Sequence, residues 1–161
     1  MYDIINGGVT DAELVSANMG ATPVTGSWRS MRKARRRLVL LAMAAGASGN
    51  TPTFTLEQAT DGAGAGAKVL PLKKVYVKVA AGKWEKVEGI TSQEPVANYD
   101  SSAANNGTAV IQIGAIVEAR DLDDGFTHVR INTPAVGGTR TGTVFHVVPE
   151  RDYQGLPGDG E

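Results

Sequence analysis

The sequence predicts an all-β protein, an antiparallel β-sandwich with an extended N-terminal arm, and three observations predict it. The chain holds 20 Gly and 7 Pro in 161 residues, and these punctuate many short runs rich in Val, Ile and Thr, as strands separated by turns require. About eight such runs alternate apolar and polar residues at the spacing of a sandwich, a jelly roll being among the arrangements open to it. None of the runs makes a convincing central helix. A chain of this length can bury a core of its own, so no metal or disulfide staple is needed.

Residues 1–28 read as the arm. They carry Asp3, Asp11 and Glu13 with no Lys or Arg, and glycines are spread along them. Ile4, Ile5, Val9, Leu14, Val15, Met19 and Val24 are too frequent for a purely disordered terminus, so the arm is expected to order against a neighbouring molecule. The sandwich is expected over 29–149, followed by a C-terminal tail over 150–161.

Arg29 to Ala45 mixes helix-favouring residues with a broken apolar stripe. Arg37 to Ala44 is taken as a strand because it leads through Gly46-Ala47-Ser48-Gly49-Asn50-Thr51-Pro52 into the alternating run Thr53 to Gln58, and the two are expected to form a hairpin. Asp61 to Ala67 reads as a flexible low-complexity loop. Lys74-Val75-Tyr76-Val77-Lys78-Val79 is the clearest strand, with its valines on one face, and Lys83 to Val87 is its antiparallel return. After a polar loop, strands are expected at Ala109 to Ile113, Ile116 to Arg120, Thr127 to Ile131 and Thr143 to Val148.

Composition narrows the chemistry. With 16 Lys plus Arg against 17 Asp plus Glu, net charge is -1, so the whole molecule has no field that draws it to nucleic acid or to an anionic membrane. Cysteine is absent, which excludes disulfides, thiolate metal sites and Cys nucleophiles. A basic run followed by Leu38 to Ala45 imitates an export signal. A polar, acidic stretch precedes it, and the apolar run is far shorter than the roughly 20 residues of a membrane helix, so a soluble protein is expected.

Candidate sites are few. His128 and His146 could be cross-strand neighbours, yet no nucleophile elbow or third ligand accompanies them, and both are expected to face solvent or an interface. A hydrolase would use one of them with Asp121 or Asp123. Asp121-Leu122-Asp123-Asp124-Gly125 clusters carboxylates before a Gly turn, but the spacing is wrong for an EF-hand, and an acidic turn is the better reading. Trp84, Tyr76 and Tyr99 are the rings available to stack on a sugar. No catalytic residue, cofactor or metal is expected, and the chain is not read as an enzyme.

The feature that asks for a partner is the basic run. Arg29, Arg32, Lys33, Arg35, Arg36 and Arg37 place six cations in nine residues with no acid among them. Phosphates, an acidic protein surface and a charge-protected strand edge are the competing uses. Protein contact is favoured because acidic segments exist in the chain itself, at Met1 to Trp28 and Glu150 to Glu161; nucleic acid ranks last.

Phe54 to Lys68, with Lys74-Val75-Tyr76-Val77-Lys78 and Asp121 to Ile131, resembles a group of small β-rich structural proteins of tailed bacteriophages. The likeness covers about Arg35 to Tyr153 and consists of strands and turns rather than active-site residues. It implies a virion protein made in the host cytoplasm and placed on the capsid surface, a decoration or cement protein that binds the major capsid protein and stabilises the head. By the same analogy it forms a homo-oligomer, a trimer. A receptor- or glycan-binding module of a tail or fibre, or a head-to-tail joining protein, is the alternative.

Overall fold

A computed structural model of the chain describes residues 8–149. Twelve strands follow one another as β1 (Gly8–Asn18), β2 (Val24–Thr25), β3 (Arg29–Ser30), β4 (Arg36–Met43), β5 (Thr53–Ala59), β6 (Lys68–Leu70), β7 (Val75–Val79), β8 (Glu85–Lys86), β9 (Tyr99–Asp100), β10 (Ile111–Glu118), β11 (His128–Thr133) and β12 (Thr141–Pro149). Single 3-10 turns at Ser101–Ala103 and Ala119–Asp121 are the helical elements among the described residues, and no helix there is long and apolar enough to cross a membrane.

The strands form two antiparallel sheets in a sandwich. The first runs in the order β1, β12, β4, β10, β7, β8; the second runs β2, β11, β5, β6, with β3 also on β11 and β9 on β5. Period-two alternation sends one side of each strand inward. Val39, Leu41 and Met43 of β4, Ile111, Ile113, Ala115 and Val117 of β10, and Val75 and Val77 of β7 meet Phe54 and Leu56 of β5, Leu70 of β6 and Val129 and Ile131 of β11 in one core. Each fully buried Leu, Ile, Val or Phe there contributes roughly 1.5 to 3 kcal/mol relative to exposure. That shared core is why the two sheets stay face to face.

Three local expectations are corrected. Arg37 to Ala44 and Thr53 to Gln58 are both strands but not a hairpin, because β4 pairs with β10 and β12 while β5 pairs with β11, β6 and β9. The turn between them carries the chain from one sheet to the other. Arg140, only 1% exposed, donates from its guanidinium to the carbonyls of Ala44 and Asn50 in that turn and of Ala109 before β10. Burial lowers the Arg140 pKa from its usual value, and carbonyl acceptors in place of water satisfy its N–H groups.

Ala109 to Ile113 and Ile116 to Arg120 prove to be one strand, β10, since Gly114 continues the ladder opposite Leu40 on one side and Tyr76 on the other. Asp61 to Ala67 is a hydrogen-bonded turn rather than a flexible loop. The Asp61 carboxylate accepts from the N–H groups of Ala63 and Ala65 at 2.9 and 3.0 Å, and Gly64, at φ +89°, lies so close to Trp28 that a Cβ would stand 2.5 Å from its indole nitrogen.

The N-terminal segment is extended, and its described part has partners in its own chain. β1 lies along β12 from Gly8↔Pro149 to Asn18↔Thr141. Met19 is fully buried, and β2 and β3 then add to the edge of β11 in the opposite sheet. Residues 8–30 thus link one sheet to the other. The tail expected over 150–161 lies outside the described residues, as do residues 1–7.

Candidate partner-contact surface

The basic run occupies the corner where the chain leaves the second sheet and enters the first. Arg29 sits in β3 opposite Val129, Arg36 and Arg37 begin β4 opposite Glu118 and Val117 of β10, and the intervening turn is anchored by Met31, whose N–H donates to the Thr127 carbonyl at 2.7 Å. Met31 and Ala34 point inward and are buried. With Met31 and Ala34 turned inward, Arg32, Lys33 and Arg35 turn outward, and all three are exposed. The six cations are therefore divided. Arg29 and Arg36 are half-buried, and Arg37, 9% exposed, donates through Nη2 to the Ser30 carbonyl at 3.1 Å. Arg37 closes the corner from within, while Arg32, Lys33 and Arg35 present charge to the outside.

The fold adds a cation that sequence proximity did not reveal. The Ala119 N–H donates to the Arg35 carbonyl at 2.9 Å, which brings the Ala119–Asp121 turn and Arg120 to the same corner. Arg120 holds Glu118 at 2.6 Å with its side chain 80% exposed. Lys74 holds the other oxygen of Glu118, and Lys73 holds Asp121, each at 2.9 Å. Asp121 also accepts from the Glu118 N–H at 2.8 Å, so both carboxylates are committed within the chain. The Lys74 hydrogen bond is the main reason that the Glu118 carboxyl titrates below its ordinary range. A surface pairing of this kind contributes little stability. Its effect is to leave the corner cationic, because Glu118 and Asp121 are each already paired with a lysine.

The other candidates separate. His128 pairs opposite Ala59 and Ser30 in the second sheet, and His146 opposite Val39 and Asp11 in the first, so they are not cross-strand neighbours. His146 is fully buried rather than solvent-facing, because it falls on the inward parity of β12 with Val144. His128 is half-buried, and its Nδ1 lies 2.9 Å from the Thr127 hydroxyl. Burial, with help from the Arg32 charge, lowers its pKa. The Asp123 carboxylate is engaged by Lys68 and by the Gln58 amide, at 2.5 and 3.0 Å. Asp121 and Asp123 therefore face different cations, and among the described residues no three His, Asp or Glu side chains gather as a metal site would need.

The aromatic candidates separate as well. Tyr99 packs in the core at 9% exposure, where a sugar cannot stack on it. Tyr76 lies on the outward side of β7, and Trp84 is half-buried just before β8.

No protein-family model matches the chain, and no curated protein matches it. Among solved structures it is similar to the crystal structure of SPBc2 prophage-derived protein YomS, at 13% identity and a TM-score of 0.46, over 87% of this chain and 92% of that one.

Proposed function

We propose that this chain is a structural protein of a tailed-virus particle, a head decoration or cement protein that binds the shell of major capsid protein and stabilises it. The observation that carries the reading is the corner between β3 and β4, where Arg32, Lys33 and Arg35 are exposed beside Arg120 while Glu118 and Asp121 are paired internally. Such a surface, held on a self-folding sandwich, fits an acidic protein partner. The strand-and-turn resemblance to small phage head proteins supplies the partner's identity, and the homo-oligomer, a trimer, follows from the same analogy.

Quantitative mass spectrometry of purified particles tests this reading. A copy number from about one third of the major capsid protein up to parity is expected of a symmetric shell covering. A handful of copies moves the protein to the neck or tail, and absence from the particle refutes the proposal. Replacing Arg32, Lys33 and Arg35 together by Ser is expected to release the protein from shells with no more than about 0.5 kcal/mol change in stability, since the three side chains are exposed.

A further inference from the structure

A cavity of about 260 Å3 opens beside the basic corner, lined by Lys73, Lys74, Ser92, Glu118, Arg120 and Asp121. Every lining side chain is polar or charged. Lys73 and Lys74 are consecutive residues ahead of β7, yet each holds a different carboxylate, Asp121 and Glu118 respectively, at 2.9 Å. The Ala119–Asp121 turn makes this possible, since it sets the two acids three positions apart and ties them together through the Glu118 N–H, which donates to Asp121 at 2.8 Å. The main chain fixes the same place. The Ile116 N–H donates to the Lys74 carbonyl at 3.2 Å, and the Ala119 N–H to the Arg35 carbonyl. The cations are therefore held in position before any ligand arrives, which spares it the cost of ordering them.

This arrangement uses up acceptors and leaves donors. Both oxygens of Glu118 are taken, by Lys74 and Arg120, and both of Asp121, by Lys73 and the Glu118 N–H. Each cation gives one hydrogen bond to these acids, and an ammonium or guanidinium has further N–H groups to give. With three cations and two carboxylates on its wall, the cavity carries a surplus of one positive charge. A single carboxylate matches that surplus. A metal ion would have to displace a cation from each acid, and a chain of phosphates would meet the ionised oxygens of Glu118 and Asp121. The volume falls below the roughly 300 to 1,000 Å3 of small-molecule sites, so a side chain suits it better than a cofactor.

We infer that this cavity receives an Asp or Glu side chain of the major capsid protein, gripped by Lys73, Lys74 and Arg120, with the Ser92 hydroxyl as a further donor. The inference rests on the proposed function and names the socket to which the basic corner leads. Exposed Arg32, Lys33 and Arg35 draw an acidic surface toward the corner. Lys73 and Lys74, at 27% and 40% exposure, then hold one of its carboxylates where water screens the attraction less than on an open surface.

The test is co-sedimentation of the full chain with shells assembled from the major capsid protein alone, across a salt series. Wild type is expected to bind, more weakly as salt rises. Lys73→Gln combined with Arg120→Gln removes charge at the cavity, while each glutamine amide can still donate to its carboxylate. It is expected to lower affinity at least about tenfold with an unchanged melting temperature. Lys78→Gln combined with Lys83→Gln removes the same charge at the far end of β7 and is expected to bind as wild type does. Arg120→Gln alone, at a side chain 80% exposed, decides the matter if the cavity variant melts early. If the two paired variants weaken binding equally, net charge governs it and the inference falls. If the cavity variant binds like wild type, the cavity is not the socket although the proposed function stands. If wild type does not bind shells, both readings fall. If the cavity variant instead loses self-association, or retention on a DNA duplex, the occupant is a second copy or nucleic acid and the assignment is wrong.

Discussion

The outward faces of the two sheets solve the same problem differently. On the second sheet, Glu57 of β5 accepts from Arg130 Nε at 2.7 Å and from Asn132 Nδ2 at 2.8 Å, and the Arg130 guanidinium lies 4.3 Å over the Trp28 ring. Its polar groups are satisfied by each other, and its large ring is covered by the chain's own cation and the Asp61 to Ala67 turn. The first sheet presents Leu40, Phe145 and Tyr76 half-buried around Gly114, with lysines at the edge. A face that completes its own contacts serves the fold. The first face instead buries Leu38 and Val147, with Ile116 against them, in a small apolar cluster of its own.

This contrast can be broken or sharpened by substitution. The largest effect is expected from Leu38→Ala, which removes a fully buried side chain packed with Ile116 and Val147. A loss of about 2 to 4 kcal/mol is expected from the apolar transfer and the cavity left behind, measured by urea denaturation. A loss under about 1 kcal/mol would show that Leu38 is not packed as the cluster describes. Arg130→Ala comes next. It breaks the pair with Glu57 and uncovers Trp28, so about 1 to 2 kcal/mol is expected, with Trp fluorescence shifted to the red. Arg130→Lys should recover only part of the loss, because an ammonium lacks the planar fork that stacks and pairs at once.

The smallest effect concerns acid. Glu118 lies below its usual 4.5 because of Lys74 and then Arg120. In Glu57 burial pushes the pKa up, but the bonds from Asn132 and Arg130 outweigh it and the net shift is downward. Both groups favour the ionised form in the fold, so each contributes stability that is present above about 4.5 and lost as pH falls. His128 is also lowered, mainly by burial. Its neutral form is favoured in the fold, and that contribution is present above about 6.5 and declines below it. Melting temperature should therefore fall as pH drops from 7 to 4. Glu57→Gln, on the self-satisfied face, should flatten the lower part of that fall more than Glu118→Gln, whose partners are more exposed.

Particular residues show how far the sequence could be read. Val75, Val77 and Val79 alternate with Tyr76 and Lys78, and the expected strand and its return are β7 and β8. Gly114 looked like a boundary between two strands because local propensity penalises glycine, whereas neighbouring strands on both sides keep it in the ladder. The basic run was visible, but its division into exposed Arg32, Lys33 and Arg35 and inward Arg37 depends on Met31 and Ala34 anchoring the turn. Arg120 gave no sign of joining it, being 83 residues from Arg37 and brought near through a hydrogen bond from Ala119 to Arg35. Nothing local marked Arg140 as the buried cation that holds the turn between β4 and β5.

Alternation, turn chemistry and the lack of cysteine are properties of neighbouring residues, so they suffice to establish strands, their antiparallel character and a core without covalent staples. Sheet membership is another matter. β4 and β5 are both half-apolar strands joined by a short turn, and nothing local separates a hairpin from a crossing between sheets. Only the competition among all strands for edges, in which β10 and β12 take both sides of β4, assigns them. The same competition turns Leu38, Leu40 and Ala42 outward, because a strand apolar on both sides can give its core just one of them.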